Sequence, residues 1–514
     1  MGERLHISAK LLTVNSISGL LVWVLKTAVL FGLQRYLLLR VSVEEYSLFP
    51  VMASIMMLAE LVRPLLIGGI SRFIVDADVR GDQRRMTQIT STMFIVQAVA
   101  AVALLGLGFL LTRYIDRLLQ IDPRFLRDAR LMLGLMVFSF AFRLSTVALE
   151  SGLYARQRFV LMNGLELASV VLRIGLIVLF FTLADVRVLW VTVAAEAANI
   201  LVHMVQLVIS RRLIPALRVS WREIEWSQVR ELMTFSFWTF LQTAAYRAAV
   251  SFHPLILNRL AGPFEVTVYH IGTLFKRQIE AMLHRLTAPI TPSLIGLNAT
   301  NEHDRLRNAY YRYGRYYIWA NVMLVLPLVI YRRELISVYV GSHYMAAATV
   351  MALMFMATFV SLGNDALYQM VVALGRMRAV ALASVALNIL NIGLALYLVG
   401  VLQLGAIGSA LGASIVAVTV QPLVELLIAH RLLGIRPGAW LRQTVLPGFL
   451  PALGGAMVWV GIRRLDTPDS WLKLFVYSAA GGVVYIALVL LVFHKTERGV
   501  LEKFRKRRRR QLPA

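Results

Sequence analysis

The chain has 514 residues, of which 59% are hydrophobic and 16% charged, and its formal net charge is +25. A soluble domain of this length needs more polar surface, so the composition excludes an ordinary water-soluble protein. The absence of cysteine excludes disulfides, thiolate metal sites and a cysteine nucleophile, and the nine histidines show no metal-ligand spacing.

Long apolar blocks recur along the whole chain, and about twenty such residues are needed for a helix to cross a bilayer. Because lipid offers the backbone no hydrogen-bond partner, these blocks must be helical. The predicted spans are residues 12–34, 46–73, 86–112, 130–150, 159–183, 187–210, 232–258, 267–296, 316–331, 346–374, 379–400, 404–430, 441–462 and 471–493. We therefore expect an all-α polytopic membrane protein with about fourteen transmembrane helices.

The charges of the loops predict the orientation. If the spans alternate from a cytoplasmic N-terminus, the cytoplasmic segments hold 31 Lys and Arg residues and the opposite segments hold 13. The positive-inside rule then places both termini in the cytoplasm. The basic tail is expected to meet anionic headgroups rather than nucleic acid. On the outer side, the segment 113–130 holds five Arg and three Asp residues and is predicted to form a surface helix.

A polar stretch separates spans six and seven. Ser220 to Glu223 has the Ser-x-x-Glu form of a helix capping box, and Trp221 and Trp226 lie within or just after it. This pattern predicts a short helix in the membrane interface, with an ordinary polar loop as the alternative.

The second half of the chain repeats the first at a nearly constant offset of 218 to 223 residues. The matching pairs are Tyr46 with Tyr269, Asp82 with Asp304, Arg156 with Arg376, and Ile174 with Ile392. Six spans separate equivalent points, so both copies face the same way across the membrane. The predicted divisions are an N-terminal six-helix lobe over 1–215, a C-terminal six-helix lobe with a leading interfacial helix over 216–435, an appended helix pair over 436–494, and a basic tail over 495–514.

Basic residues occur well inside the predicted spans. They are Lys26, Arg63, Arg143, Arg173, Arg247, Lys276, Arg277 and Arg285. A base at the bilayer centre costs about 2.5–3.5 kcal/mol, so most of them must face water or a partner. Four acids, Glu60, Glu280, Asp365 and Glu425, also lie in spans and are candidates for binding a coupled ion.

Six of these bases lie on spans one, two, seven and eight, where only Glu60 and Glu280 oppose them. The repeat also matches Lys26 with Arg247 and Arg63 with Arg285. We predict that these six residues line a shared anion-binding cavity, and they are Lys26, Arg63, Arg247, Lys276, Arg277 and Arg285. The alternative is that they form internal salt bridges that fix helix packing.

Other features indicate structural roles or exclude function classes. Gly408 and Gly412 predict a close helix-packing face, and Pro64 predicts a kink beside Arg63. No phosphate-binding Gly loop, catalytic triad or ATPase motif is found, and the longest loop is too short for a soluble catalytic domain. The sequence therefore predicts a protein with no catalytic residues, metal or cofactor.

Four segments together resemble a known family. They are residues 44–49 (Glu-Glu-Tyr-Ser-Leu-Phe), 68–73 (Gly-Gly-Ile-Ser-Arg-Phe), 373–378 (Ala-Leu-Gly-Arg-Met-Arg) and 404–410 (Leu-Gly-Ala-Ile-Gly-Ser-Ala). In order and spacing the chain, over about residues 8–435, resembles Wzx-type polysaccharide flippases of the multidrug/oligosaccharidyl-lipid/polysaccharide exporter superfamily. Ser47 stands where that family commonly has glycine.

The resemblance implies two six-helix lobes in a V around a central cavity that opens alternately to either side. It implies a substrate of undecaprenyl-pyrophosphate-linked oligosaccharide, moved across a bacterial inner membrane for O-antigen, capsule or exopolysaccharide. In related flippases, basic residues on spans one, two and eight contact the pyrophosphate. Expected partners are this lipid, membrane lipids, and a polysaccharide polymerase with its chain-length proteins. A peptidoglycan-precursor flippase and a multidrug or small-molecule exporter on the same scaffold are the alternatives.

Overall fold

The structure is a computed structural model that describes residues 9–67, 73–74, 77–78, 80–156, 158–287, 303–360, 367–368, 370–371, 374 and 376–496. Across these residues the chain forms helices joined by short turns, and none of them lies in a β-strand. The all-α prediction is therefore confirmed. The chain divides into two compact units, Met1–Thr267 and Val268–Ala514.

The first unit is a bundle of long helices. Its helices are α1 (Ala9–Leu38), α2 (Val43–Ala59), α3 (Val62–Ile67), α4 (Gln83–Arg113), α5 (Leu126–Glu150), α6 (Phe159–Leu183), α7 (Val188–Leu213) and α8 (Ser227–Leu260). Helix α8 packs against α2 and α3 within this unit, although the repeat predicts it as the first span of the second lobe. The lobe boundaries taken from the repeat stay predictions.

The second unit has the same all-helical character. Its helices are α9 (Pro263–Thr287, which begins in the first unit), α10 (His303–Ile330), α11 (Arg332–Val340), α12 (Ala346–Val360), α13 (Met377–Gly400), α14 (Gly405–Ile415), α15 (Gln421–Leu433), α16 (Leu446–Leu465) and α17 (Trp471–Thr496). The last two helices attach to α10 through buried side chains. The Tyr331 hydroxyl donates to the Trp459 carbonyl at 3.0 Å, and the Tyr485 hydroxyl donates to the Trp319 carbonyl at 3.1 Å.

Among the described residues, eleven helices are long and apolar enough to cross a membrane. The three other predicted spans correspond to α8 and α9, which are long but more polar, and to α12, which is apolar but shorter. This is a multi-pass membrane protein, and its helices are compatible with the predicted fourteen spans.

Prolines interrupt three of the helices. Glu60 and Leu61 form a turn between α2 and α3. Pro64 follows four residues after Glu60 and has no N–H, so it cannot donate the helical hydrogen bond to the Glu60 carbonyl. The π-helical segments Val416–Val420 and Leu441–Val445 precede Pro422 and Pro447 in the same way. The helix is therefore interrupted just before Pro64, where a kink is predicted, and Arg63 lies directly beside this break.

Glycines allow α13 and α14 to pack closely. A Cβ on Gly412 would lie 3.1 Å from the backbone nitrogen of Ala395, and one on Gly408 would lie 3.1 Å from the Leu398 carbonyl oxygen. Because backbone atoms cannot move aside cheaply, this crossing requires glycine. The predicted close packing face is confirmed.

The capping box predicted at Ser220–Glu223 is absent, whereas the location of this stretch in the membrane interface stays a prediction. Residues Trp221–Glu223 form one 3₁₀ turn, and the Ser220 side chain caps no backbone N–H. Instead the Ser220 N–H donates to the Ser91 hydroxyl at 2.9 Å, and Glu223 accepts from Arg84 at 3.2 Å. Long-range bonds to α4 thus replace the local capping box, because Glu223 has a cationic partner there.

The segment 113–130, which is predicted to lie on the outer side, contains short turns rather than one surface helix. Its helical pieces are Ile115–Leu118 and the 3₁₀ turn Pro123–Phe125. The three aspartates that the sequence places here each pair with an arginine: Asp116 with Arg130, Asp122 with Arg124, and Asp128 with Arg187. These pairs partly neutralise the arginines of this segment, and the side of the membrane on which it lies stays a prediction.

Candidate functional site

A polar cavity of about 570 Å³ lies within the first unit, between α1, α3, α5, α6 and α7. We call it the polar cavity. Its ionisable or polar lining residues are Lys26, Arg63, Arg143, Glu150, Asn163, Glu166, Ser169, Arg173, Asn199, His203 and Gln206. All of them lie on helices that span the membrane or, for Arg63, directly after the break in the second span.

Helical periodicity explains why these side chains converge. On α6, Asn163, Glu166, Ser169 and Arg173 follow one another at intervals of three and four residues, so they share one face. The lining residues of α5 and α7 are spaced in the same way. Three membrane helices therefore turn a polar stripe towards the same space.

Lys26 of α1 reaches α6. Its ammonium donates to the Glu166 carboxylate, and both side chains are nearly half exposed to the cavity. The two residues are 140 positions apart in the sequence, so this pair joins α1 to α6. Lys26 is thus a cavity base whose charge is already partly compensated.

Arg143 of α5 lies at the edge of a small network. Its guanidinium is 4.0 Å from the Glu196 carboxylate, which also accepts a hydrogen bond from the Ser139 hydroxyl at 2.5 Å. The Nε of Arg143 is buried and makes no hydrogen bond to any described residue. Glu196 therefore holds Arg143 loosely and leaves donors of the guanidinium unused.

His203 of α7 forms the wall beside Arg143. Its ring nitrogens lie 2.7 Å from the Thr146 hydroxyl and 3.4 Å from the Glu150 carboxylate, and its side chain is 5% exposed. Arg63 and Arg143 are the bases that act electrostatically on Glu150. The imidazole is thus fixed between two residues of α5.

Arg63 and Arg173 differ from the other two cavity bases. Within the described part of the chain, no carboxylate lies within 4.0 Å of either guanidinium. The Nε of Arg173 is buried without a hydrogen-bond partner there. Glu150 acts on Arg63, and Glu196 on Arg173, only at longer range. A guanidinium without a close partner at this depth is costly unless a ligand or water satisfies it, so these two side chains are the strongest candidates for binding an anion.

The charge balance of the polar cavity favours an anion. Four basic and two acidic residues line it, which leaves a formal excess of two positive charges, and Glu196 behind Arg143 reduces the excess to one. A guanidinium presents paired N–H donors that match phosphate oxygens. The neighbouring amides and hydroxyls of Asn163, Ser169 and Asn199 can bond to hydroxyl-rich groups.

The structure places the predicted anion-binding residues in three different settings. Lys26 and Arg63 line the polar cavity. Arg247 of α8 does not line this cavity, and its guanidinium lies 3.7 Å from Glu60 at the α2–α3 break. Glu60, a candidate for ion coupling, is therefore the partner of a predicted anion ligand.

The remaining predicted residues belong to the second unit. Lys276 pairs with Glu280 at 3.0 Å, and an N–H of Arg277 lies 3.2 Å from Nδ1 of His270. Glu425 accepts a hydrogen bond from the Gln421 amide at 2.7 Å. The side chain of Arg285 and all of Asp365 lie outside the described residues. The roles of these residues in substrate or ion binding stay predictions.

The sequence analysis identifies Arg143 and Arg173 as bases within spans but does not assign them to a site. The predicted site was based on the repeat, which favours spans one, two, seven and eight. The polar cavity is also lined by spans four, five and six. The available signal was the three- and four-residue spacing of polar residues from Asn163 to Arg173. His203 carried no signal, because its partners are on another helix.

Comparison with known proteins shows where the chain belongs. The profile of the family described as "Polysaccharide biosynthesis protein" matches residues 42–349. A curated relative, "Uncharacterized membrane protein EpsK" of Bacillus subtilis (strain 168), is 19% identical over 506 residues, which cover 96% of this chain and 98% of that protein.

Solved structures share the fold. A lipid II flippase MurJ in an inward closed conformation matches with a TM-score of 0.71 and 13% identity, covering 95% of this chain and 100% of that one. The MATE multidrug transporter DinF-BH matches with a TM-score of 0.61 and 18% identity, over 84% and 99% of the two chains. These matches confirm the resemblance read from the sequence motifs.

Of these two solved structures, one is a lipid flippase and the other a multidrug transporter. The chain therefore belongs to the family described as "Polysaccharide biosynthesis protein".

Proposed function

We propose that this protein moves an undecaprenyl-pyrophosphate-linked oligosaccharide from the cytoplasmic to the outer leaflet of a bacterial inner membrane, for assembly of a surface polysaccharide. The observation that carries the proposal is the pair of Arg63 and Arg173, which bring guanidinium groups without carboxylate partners among the described residues into one membrane cavity. A diphosphate is the headgroup chemistry that such an arrangement fits.

The polar cavity supports transport because it changes the environment of the headgroup. A diphosphate and its sugars lose their hydration in hydrocarbon, which makes unaided crossing prohibitively slow. In the cavity, arginine N–H groups replace water around the phosphates, while amide and hydroxyl groups contact the glycan. The isoprenoid tail needs no such substitution and stays in an apolar environment throughout.

The direction of transport follows from the predicted topology. With both termini in the cytoplasm, Glu150 and Gln206 lie towards the cytoplasmic ends of α5 and α7, so the polar cavity occupies the middle and inner part of the membrane. Alternate opening of two lobes would then release the headgroup outside. Net transport requires a driving force, and Glu60, Glu280, Asp365 and Glu425 stay candidates for binding a coupled ion.

Reconstitution tests this proposal directly. Purified protein in proteoliposomes is supplied with a fluorescent undecaprenyl-pyrophosphate-linked oligosaccharide, and movement between leaflets is followed by quenching with a membrane-impermeant reductant. We expect Arg63→Gln to slow transport at subsaturating substrate roughly tenfold or more, because a hydrogen bond to a charged group contributes about 1.5–3 kcal/mol.

A matched control separates this effect from loss of general basicity. Arg212→Gln removes one positive charge from an exposed position at the end of α7, a helix that also lines the polar cavity. We expect transport by this variant to equal that of the wild type. If Arg63→Gln also transports at the wild-type rate, with equal amounts of protein in the vesicles, the polar cavity does not bind the headgroup.

The fold shared with a lipid II flippase favours one second candidate, a peptidoglycan-precursor flippase. Both lipids carry a diphosphate, so the arginines fit either, and only the glycan differs. Parallel assays with fluorescent lipid II and with lipid-linked oligosaccharides decide between them, since the true substrate must have the larger kcat/KM. A cation exporter is disfavoured by the excess of bases in the lining.

A further inference from the structure

A second cavity, of about 540 Å³, lies in the first unit and has the opposite character. We call it the apolar cavity. It is open on one side and is lined by α2, α3, α4, α5, α8 and the turn that follows α4, and every lining residue is aliphatic, methionine, glycine or phenylalanine. Its volume is within the range of about 300–1,000 Å³ that is usual for ligand pockets.

The apolar cavity adjoins the polar cavity. The Phe140 ring of α5, which is 3% exposed, lines both of them. On α3, Val62 faces the apolar cavity and the next residue, Arg63, faces the polar one. On α5, Val137 lines the first and Arg143 the second. On both helices, an apolar surface is therefore followed by a charged surface within a few residues along the chain.

The order of the two cavities along these helices defines a direction. Leu133 and Val137 of the apolar cavity come before Arg143 and Glu150 of the polar cavity, and thirteen helical residues between Val137 and Glu150 rise about 20 Å. By the predicted topology α5 begins at the outer surface, so the apolar cavity lies on the outer side of the polar cavity. This is the orientation of a lipid in the inner leaflet, whose headgroup is cytoplasmic and whose chain points towards the other leaflet.

We propose that the apolar cavity binds a segment of the isoprenoid chain of the same lipid whose diphosphate binds in the polar cavity. This inference rests on the proposed function. An amphiphile fits the pair of cavities because their boundary at Phe140 separates a charged compartment from an entirely apolar one. The fixed distance between them would position the diphosphate opposite Arg63 and Arg173 when the chain is seated.

The contribution of this chain site is selectivity and positioning rather than bulk affinity. Lipid tails are as apolar as leucine, so moving a chain from the bilayer into the cavity gains no hydrophobic free energy. What remains is van der Waals packing against a shaped wall, which can distinguish a methyl-branched isoprenoid from a straight acyl chain. The substrate would therefore be recognised at both of its ends.

Photo-crosslinking tests the identity of the occupant. The full-length protein in proteoliposomes is irradiated with undecaprenyl diphosphate that carries a diazirine in its chain, and in parallel with phosphatidylglycerol that carries a diazirine in an acyl chain. Adducts are mapped by mass spectrometry. We expect the isoprenoid probe to label α4 around Leu107 and Leu111 at least severalfold more than the phospholipid probe does. Equal labelling by both probes would mean that the cavity holds ordinary lipid, and would overturn the proposal.

A pair of matched substitutions tests the effect on transport. Leu107→Trp places a large ring in the apolar cavity, whereas Leu453→Trp places the same ring on an exposed apolar face of α16; the two leucines are 54% and 66% exposed. We expect only Leu107→Trp to slow transport of the long-chain lipid, by about fivefold, which corresponds to about 1 kcal/mol of packing. The milder Leu111→Phe serves if the tryptophan variant does not accumulate, and it should slow transport in the same direction.

A short-chain lipid diphosphate separates failure of this inference from failure of the proposed function. Its chain is too short to reach the apolar cavity, so Leu107→Trp should bind it as the wild type does. If the wild type neither binds a lipid diphosphate nor transports one, the proposed function fails and the chain site with it. If the wild type transports but Leu107→Trp and Leu453→Trp behave alike, the chain site alone is wrong.

Discussion

The two units accommodate charge inside the membrane in different ways. In the first unit, Lys26, Arg63, Arg143 and Arg173 reach one cavity from four helices, and two of them have no carboxylate partner among the described residues. In the second unit, Lys276 and Glu280 pair within a single helix, at a spacing of four residues. Convergence on a space leaves charge available to a ligand, whereas pairing within one helix consumes it.

This difference shows that the two halves of the repeat need not share a function. Similar sequences predict similar helices in both halves, yet the substrate chemistry that we propose is concentrated in the first unit. Equivalent positions in a duplicated fold therefore need not keep equivalent roles. Lys26 and Arg247 match in the repeat, but Lys26 pairs across to α6 inside the polar cavity and Arg247 pairs with Glu60 at a helix break.

The largest expected effects concern ion pairs that are structural in both units. Asp128 pairs with Arg187 in the first unit, and Glu334 pairs with Arg463 at 2.7 Å in the second. Both carboxylates are mostly buried. An exposed ion pair contributes ~1 kcal/mol, and breaking a buried one costs ~3–5 kcal/mol. We expect Asp128→Ala and Glu334→Ala to lower the free energy of unfolding by an amount between these two values.

Thermal unfolding in detergent measures this loss as a lower midpoint. Anion binding by the folded fraction should be unchanged in both variants, because neither pair lines the polar cavity. Loss of binding at full stability would show that these pairs belong to the site and that the division between structural and ligand-binding charges is wrong.

Close helix contacts give the next largest effects. A Cβ on Gly108 would lie 2.4 Å from a Val137 methyl group in the first unit, and one on Gly412 would lie 3.1 Å from the Ala395 backbone in the second. We expect Gly108→Ala and Gly412→Ala each to cost about 1–3 kcal/mol through overpacking. The unfolding midpoint again gives the measurement.

The repeat supplies matched controls for these two glycines. Gly175 and Gly393 occupy equivalent positions in the two halves, and a Cβ on either would meet nothing within 4 Å. Gly175→Ala and Gly393→Ala should be neutral or stabilise by up to about 1 kcal/mol, since alanine favours helix. Equal destabilisation by all four substitutions would contradict the packing argument.

Removing one acid beside the bases of each unit compares anion binding in the two units. Glu166→Gln removes the carboxylate that holds Lys26, so anion binding in the polar cavity should tighten by roughly fivefold, or about 1 kcal/mol. Glu280→Gln makes the same change beside Lys276 in the second unit. If substrate binding is confined to the first unit, this second variant should bind the anion as the wild type does.

A titration with a water-soluble short-chain lipid diphosphate measures both variants. Tighter binding by Glu280→Gln than by Glu166→Gln would place the anion among the bases of the second unit, which the sequence also predicts as anion ligands. The comparison between units would then have to be reversed.

The smallest effect is a pH dependence outside the membrane spans. Asp466 lies in the turn before α17, where a hydrogen bond from the Tyr477 hydroxyl and then one from the Lys473 ammonium lower the pKa of its carboxyl below the usual 3.8. A carboxyl whose pKa is lower in the folded state stabilises the fold above the unfolded pKa and loses that contribution as the pH falls. We expect Asp466→Asn to flatten the decline of the unfolding midpoint below about pH 4. An unchanged pH profile would show that these bonds do not persist in solution.

Local patterns in the sequence defined the helices well. The predicted span 159–183 coincides with α6, because a mostly apolar stretch there is bounded by polar residues on both sides. The predicted span 316–331 was shorter than α10, since the Tyr- and Arg-rich stretch that begins at His303 is helical but not apolar. Composition indicates what can lie in lipid, and a helix can extend well beyond it.

Contacts between distant residues were the part that the sequence could not supply. Lys26 and Arg63 were assigned to an anion site on the basis of their depth, but the pairing of Lys26 with Glu166 depends on how α1 crosses α6. The capping box at Ser220 was overridden by an ion pair between Glu223 and Arg84, which is 139 residues away. Periodicity gives the face on which a side chain lies, and only packing decides what that face meets.

Equilibrium binding of a short-chain lipid diphosphate to purified protein, comparing the wild type with the Arg63→Gln, Arg173→Gln double variant, tests the central claim most directly. Our account predicts that the double variant binds at least about tenfold more weakly, since each lost charge-assisted hydrogen bond contributes about 1.5–3 kcal/mol. Equal affinities, with both proteins folded, would contradict the account and leave the polar cavity as a structural feature only.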